Sequence, residues 1–218
     1  MTQVVIYLSN KGYVLNTVKL NSQDVTPSKI VCIGRNYVEH IAELGNEMPD
    51  EMVVFNKPNS ALSNELNAFH LEEALHYEGE LCFLVKNGKF SAVAFGLDLT
   101  KRGLQSKLKG KGLPWERAKA FDGAAVLGNF VEIAVIDEHL ILELTINDQL
   151  IQQGGVELMM YKPDDIFKEL STFITLEDGD VVMTGTPKGV GVVNKGDIFC
   201  GKVIQSGNVL VTSTWTAN

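Results

Sequence analysis

The chain alternates short apolar runs with polar turn clusters. The most informative pair is Leu81-Cys82-Phe83-Leu84-Val85 and Ser91-Ala92-Val93-Ala94-Phe95, joined by Lys86-Asn87-Gly88-Lys89. Apolar runs of this length, bounded by turn residues, predict strands heading into a core, and Lys86-Asn87-Gly88-Lys89 between them predicts a hairpin turn. Further strands are predicted at Lys29-Ile30-Val31-Cys32-Ile33-Gly34, at Met52-Val53-Val54-Phe55 and at Val181-Val182-Met183, with the last two near 197–203 and 209–214. Leu140 to Ile146 alternates apolar and polar positions and turns at Asn147-Asp148 into Gln149-Leu150-Ile151-Gln152, a second hairpin. Residues 3–20 read as a third, with Val4 to Leu8 facing Tyr13 to Leu15 and Val18 to Leu20.

Helical spacing is confined to a few places. Tyr37, Ile41 and Leu44 share a face between Asn36, a candidate cap, and Gly45, a candidate terminator. Thr100 is placed to cap a helix over 100–111 with Leu104 and Leu108 on its buried side. Pro163-Asp164-Asp165 opens a third helix with Ile166, Phe167, Leu170, Phe173 and Ile174 on one stripe. Asn64 to Leu75 reads as irregular and acidic. The pattern as a whole is a β-rich α+β protein with few helices.

The same periodicity brings chemistry together. Alternate residues of a strand share a face, so Glu78 and Glu80 point the same way as the chain enters the core, and the partner strand ends in Asp98. Buried carboxylates at that spacing repel and need a cation or a proton, and three hard oxygen donors suit Mg²⁺ or Mn²⁺. The bland alternative is a solvated strand face. On the first helix His40 and Glu43 lie three apart, so the carboxylate can orient the imidazole, or the two form an idle surface pair. Arg102 and Gln105 share another helical face. Lys119, between Ala118 and Ala120, stands apart from the glycine-interspersed basic cluster of Lys101 to Lys111. The loop Thr184-Gly185-Thr186-Pro187-Lys188-Gly189-Val190-Gly191 offers backbone amides and two hydroxyls to an anionic ligand, without the spacing of a P-loop.

Composition narrows the function classes. With 218 residues, 45% hydrophobic and 21% charged, the expectation is one domain over 1–218, its first 28 residues an N-terminal β-hairpin extension. A net charge of −8 argues against a nucleic-acid or anionic-membrane surface. Three dispersed cysteines, Cys32, Cys82 and Cys200, form no zinc motif, and no run approaches the roughly 20 apolar residues needed to span a bilayer. The first residues also lack the basic region and apolar core of a signal peptide, so the expected location is cytoplasmic.

In order along the chain come Gly34-Arg35-Asn36-Tyr37 with His40 and Glu43, Phe55-Asn56-Lys57-Pro58 with Ser60, Tyr77-Glu78-Gly79-Glu80, and Leu97-Asp98-Leu99-Thr100 with Arg102 and Gln105. Lys111-Gly112-Leu113-Pro114-Trp115 with Lys119 and the 184–191 loop complete the set. This ordered set resembles the fumarylacetoacetate hydrolase family, most closely its short single-domain branch of acylpyruvate hydrolases and oxaloacetate decarboxylases or tautomerases. The resemblance implies a mixed, rolled β fold with peripheral helices, usually a homodimer, acting on a small 2-oxo acid. It implies Glu78, Glu80 and Asp98 as ligands of Mg²⁺ or Mn²⁺, with His40 and Glu43 as the dyad that activates water and Lys119 as a cation beside the metal. Arg102, Gln105, Thr186 and Lys57 are implied as substrate contacts. Departures are the short stretch from Val85 to Gly96, Gly79 and Gly103 in place of larger or polar residues, and the segments 123–125 and 155–158. These departures bear on substrate identity, with a hydratase or isomerase of unsaturated 2-oxo diacids, or a catalytically silent binder, as the alternatives.

Overall fold

The computed structural model describes residues 15–45 and 47–218. Its largest sheet runs in the order Val53–Pro58, Lys29–Gly34, Val181–Met183, Gly79–Lys86, Lys89–Asp98, Ala125–Leu127, Leu62–Ser63, and Val131–Glu132 adds to the Lys89–Asp98 strand. The sheet is mixed: Val181–Met183 lies parallel to Lys29–Gly34 and antiparallel to Gly79–Lys86. It curls strongly into a half-barrel. A second, antiparallel sheet orders Gln149–Gly155, Leu140–Ile146, Ile198–Gln205 and Asn208–Thr216.

Both faces of the large sheet are buried. On one face Leu81, Phe83, Phe95 and Leu97 join Leu140, Leu142, Leu144 and Phe199 of the second sheet in a single core. The two sheets meet closely at Gly201, where a Cβ would come within 2.1 Å of Phe95 Cδ1, so no larger residue fits without moving the ring. The other face carries smaller side chains, among them Cys32, Cys82, Ala92, Ala94 and Ala125, with Leu84, Val181 and Met183. Glu80 shares the strand parity of Cys82 and Leu84, and Asp98 that of Ala92 and Ala94, so both carboxylates belong to this second face.

The two tight hairpins are present, with Asn87 and Gly88 at φ 53 and 68 and Asn147 and Asp148 at φ 50 and 64, as a type I′ turn demands. Helix boundaries differ more. The first helix is Val38–Glu43 with Tyr37 at the N-cap and no side-chain cap, while Gly45, at φ 60, ends it as expected. The second is Arg102–Lys109 with Lys101 at the N-cap, so Thr100 is not its cap, and its buried residues are Gln105 and Leu108. A third, Glu116–Lys119, carries Lys119 at its end. The fourth, Pro163–Leu170, stops before Phe173, which is exposed, so the apolar stripe is one turn shorter than its sequence pattern. Within 64–75 a small hairpin pairs Phe69–His70 with Glu73–Ala74. The expected pairing of 4–8 with 13–15 rests on residues 4–14, which lie outside the described residues, whereas Val18–Leu20 pairs with Gln23–Val25. Among the described residues no helix is long and apolar enough to cross a membrane.

Candidate metal and active site

The register of the central hairpin assembles the acids. Gly96 faces Glu80 and Leu97 faces Gly79, and beyond them Asp98 N donates to Glu78 O at 2.9 Å. Glu78 occupies a break between His76–Tyr77 and Gly79–Lys86 and yet keeps its expected face. One oxygen from each of Glu78, Glu80 and Asp98 lies within 4.8 Å of the others, and all three side chains are buried. A solvated strand face is therefore not what these residues form.

Three cations answer them. The Lys119 ammonium donates to Glu78 Oε2 at 2.9 Å, Asp98 Oδ2 at 2.7 Å and Thr100 Oγ1 at 2.6 Å, which uses all three of its N–H bonds. Arg102 Nη2 donates to Glu78 Oε1 while Nη1 donates to Gln105 Oε1 at 2.8 Å. Lys57 Nζ sits 2.8 Å from Asp98 Oδ1 and donates to the main-chain oxygen of Lys119. Formal charge in the cluster is thus balanced, three against three.

Glu78 and Glu80 are shifted in opposite directions. Burial alone would raise Glu78, but Lys119 and Arg102 outweigh it and hold that carboxyl far below the usual range. Glu80 is pushed well above the usual range by burial and then by Asp98 and Glu78, with the Gly185 amide at 2.7 Å and the Lys119 charge opposing. Burial pulls Lys119 down, yet Asp98 and Glu78 carry it above its ordinary value.

These groups wall a cavity with about 30 Å³ of free space, which His40, Arg102, Gln105 and Thr186 also line. It adjoins a wider cleft of about 610 Å³ bordered by Val53, Phe55, Leu113 and Trp115. His40 Nδ1 is 3.1 Å from Glu43 Oε2, and Glu43 Oε1 accepts from Gly189 N at 2.9 Å, tying the first helix to the 184–191 loop. The imidazole is 6% exposed, so the pair is no free surface contact.

Of the residues singled out from the sequence, Glu78, Glu80, Asp98, His40, Arg102, Gln105, Lys119 and Thr186 border this one cavity, with Glu43 behind His40. Lys57 does not border it. Its fully buried ammonium lies behind Asp98, where it balances charge, so a direct substrate contact is not where the structure places it. Three supporting residues have no local signature. Gln152 accepts from Gly79 N at 2.9 Å and donates to Thr186 Oγ1 at 2.9 Å. Asn36, the expected helix cap, instead donates to Tyr161 O at 3.0 Å and Thr184 O at 2.9 Å. Thr100, the other expected cap, accepts from Lys119 and donates to Asp98 O at 3.3 Å.

The donor set suits a hard divalent cation: three carboxylates converge, and Asp98 Oδ1 is buried next to Lys57 without a hydrogen bond. Each carboxylate group is also braced from behind by a cation or amide, as ligands usually are.

Residues 29–213 match the family described as fumarylacetoacetate (FAA) hydrolase, C-terminal. The chain is 37% identical over 191 residues to the oxaloacetate tautomerase YcgM of Escherichia coli, covering 80% of this chain and 87% of that protein. It is 36% identical over 197 residues to the mitochondrial oxaloacetate tautomerase oaa1 of Schizosaccharomyces pombe, covering 82% and 89%. Among solved structures, fumarylpyruvate hydrolase from Pseudomonas aeruginosa, in complex with Mn²⁺ and pyruvate, superposes with a TM-score of 0.84 at 26% identity over 97% of this chain and 99% of that one.

Proposed function

Because the chain belongs to the fumarylacetoacetate hydrolase family, we propose that it is a Mg²⁺- or Mn²⁺-dependent enzyme of short 2-oxo acids. Keto–enol tautomerisation of oxaloacetate is its first reaction. The observation that carries this assignment is that the acidic triad and the His40–Glu43 dyad border one small, buried cavity.

Glu78, Glu80 and Asp98 would hold the ion, which when bound supplies Lewis-acid polarisation of the 2-oxo group. Glu43 engages His40 Nδ1, which leaves Nε2 for proton exchange. In tautomerisation the imidazole takes a proton from C3 and a proton is returned to the C2 oxygen, so a C–H bond breaks, an O–H bond forms and no water is consumed. The same base acting on water serves hydrolysis of an acylpyruvate, in which the C3–C4 bond breaks and the pyruvate enolate leaves. That second activity is favoured by the 610 Å³ cleft beside the cavity, which has room for an acyl substituent. Arg102, Gln105 and Thr186, which line the cavity, would hold the substrate's 2-oxo carboxylate. Lys119, with every N–H committed, holds the Glu78 and Asp98 carboxylates close together. A homodimer belongs to the same proposal, supported by Leu150, Ile198 and Val209, apolar and exposed along the small sheet. Free Cys32, Cys82 and Cys200 fit a reducing compartment such as the cytoplasm.

The test follows loss of enol absorbance of oxaloacetate, and separately acylpyruvate cleavage, with and without Mg²⁺. Wild type is expected to accelerate one or both beyond buffer and metal alone, and His40→Ala to lose about 10²–10⁴-fold. No metal-dependent turnover of either substrate would overturn the assignment.

A further inference from the structure

Arg35 lines the cavity wall and has no task in the chemistry above. It directly follows the Lys29–Gly34 strand at φ 55, a left-handed conformation that is unfavourable for a non-glycine residue. Its Nη1 donates to Glu47 O at 3.3 Å, while its Nε–H is buried and has no hydrogen-bond partner among the described residues. A strained backbone that aims a half-buried guanidinium with an unmet donor into a cavity is a recurring mark of ligand binding.

Lys109, the last residue of the Arg102–Lys109 helix, borders the same space, its ammonium 5.2 Å from the centre of the Trp115 ring. Arg35, Lys109 and Trp115 line both the small inner cavity and the 610 Å³ cleft, so they mark the passage between the two. Burial, and then Arg35 and Arg102, pull the Lys109 ammonium down to about 8, the response of a cation crowded by like charge. The carboxylates are already answered by Lys119 and Arg102 at the cavity and by Lys57 behind Asp98. Among the described residues the one acidic side chain on the outer wall, Glu116, is exposed. Positive charge therefore collects at the passage, one step beyond the place where a 2-oxo carboxylate would sit, in a chain whose net charge is −8.

We propose that Arg35 and Lys109 form an anion subsite for the distal carboxylate of the substrate, so that the enzyme selects 2-oxo dicarboxylates over 2-oxo acids with an uncharged tail. The inference rests on the 2-oxo acid function proposed above and adds to it the substrate's second charge. Arg35 supplies planar, directional donors and Lys109 a point charge, a pairing suited to a carboxylate.

The experiment compares two ligands of equal length, 2-oxoglutarate and 2-oxopentanoate, which differ only in a terminal carboxylate against a methyl group. Their affinities for the Mg²⁺-loaded protein are measured by calorimetry. Wild type is expected to bind the diacid about 10-fold or more tighter, as a charge-assisted contact implies. Arg35→Gln and Lys109→Gln should each bring that ratio towards one by weakening the diacid alone. In turnover, KM for oxaloacetate should rise while kcat and acetylpyruvate cleavage stay near wild type. Lys109→Gln, at a helix end with ordinary backbone, keeps the test open if Arg35→Gln folds poorly. Equal weakening of both ligands in both variants, or an unchanged ratio in both, would overturn the subsite. Wild type binding the two ligands alike would overturn it as well and leave the 2-oxo acid function standing. Binding of neither ligand would overturn both.

Discussion

Lys119 shows how one side chain can make an otherwise prohibitive arrangement stable. Glu78 and Asp98 are buried, and its three N–H bonds reach both of them and Thr100. Replacing it by Met keeps the stem and removes the charge, leaving two carboxylates short of a partner. Breaking a buried pair in this way costs about 3–5 kcal/mol. Lys119→Met is therefore expected to unfold at clearly lower urea in chelator, and to recover more stability than wild type does on adding Mg²⁺. Equal stability of the two proteins in chelator would show that the ammonium does not carry this load. At this scale the sequence reveals residues whose spacing is local. Glu78 with Glu80 is a strand period, and His40 with Glu43 is a helical one. Lys57 and Gln152 gave no such signal, because their partners Asp98 and Thr186 lie 41 and 34 positions away and are set only by sheet order. Asn36 misled for the same reason: a cap preference is a local rule, and here contacts 125 and 148 residues distant prevail over it.

Among the elements, strands were more legible than helix ends. A strand buried on both faces must be apolar throughout, so Gly79–Lys86 and Val181–Met183 announce themselves, whereas the short helices begin where tertiary contacts take their first residues. Thr100 illustrates this, its hydroxyl committed to Lys119 and Asp98 rather than to a helix terminus. What pins Val181–Met183 against Lys29–Gly34 is Asp180. It accepts from Ser28 Oγ at 2.7 Å, the amides of Ser28 and Lys29 at 3.2 Å and Glu177 N at 2.8 Å, and it pairs with the Lys29 ammonium. Burial opposes ionisation, but the Lys29 and Ser28 donors prevail and lower its pKa below the ordinary Asp value. A lowered carboxyl stabilises the fold above the unfolded-state pKa, near 3.9, and that contribution is lost as pH falls through the folded-state value. Asp180→Asn turns an NH₂ towards groups that themselves donate, and is expected to cost about 1–3 kcal/mol at pH 7. The gap to wild type should narrow below about pH 4, as wild type protonates. Denaturant melts at pH 7 and pH 3 check this, and a gap of constant size would mean that charge is not what Asp180 contributes.

For the molecule as a whole, the site is a junction of segments far apart in the chain. Glu43 reaches Gly189 across 146 positions, Glu80 reaches Gly185 across 105, and Lys119 joins its helix to the central hairpin. An unfolded chain does not hold Glu78, Glu80 and Asp98 within reach of one ion, so a divalent cation held by this triad would bind the folded state almost exclusively. Linkage then makes occupancy a source of stability: at a free concentration 100 times Kd the gain is about 2.7 kcal/mol. For a chain of 218 residues this corresponds to roughly 5–10 °C in Tm. Mg²⁺ or Mn²⁺ is therefore expected to raise Tm by about that much in a concentration-dependent way, and EDTA to reverse it. Glu80→Gln tests which residues are responsible. Gln keeps the shape and the acceptor for Gly185 N but removes the charge that a hard cation requires. It also relieves the repulsion from Asp98 and Glu78 that Glu80 bears when no cation is bound. The variant should thus match or exceed wild type in EDTA while losing most of the rise on adding metal. A full metal-induced rise in Glu80→Gln, or none in wild type, would mean that this triad is not a cation site.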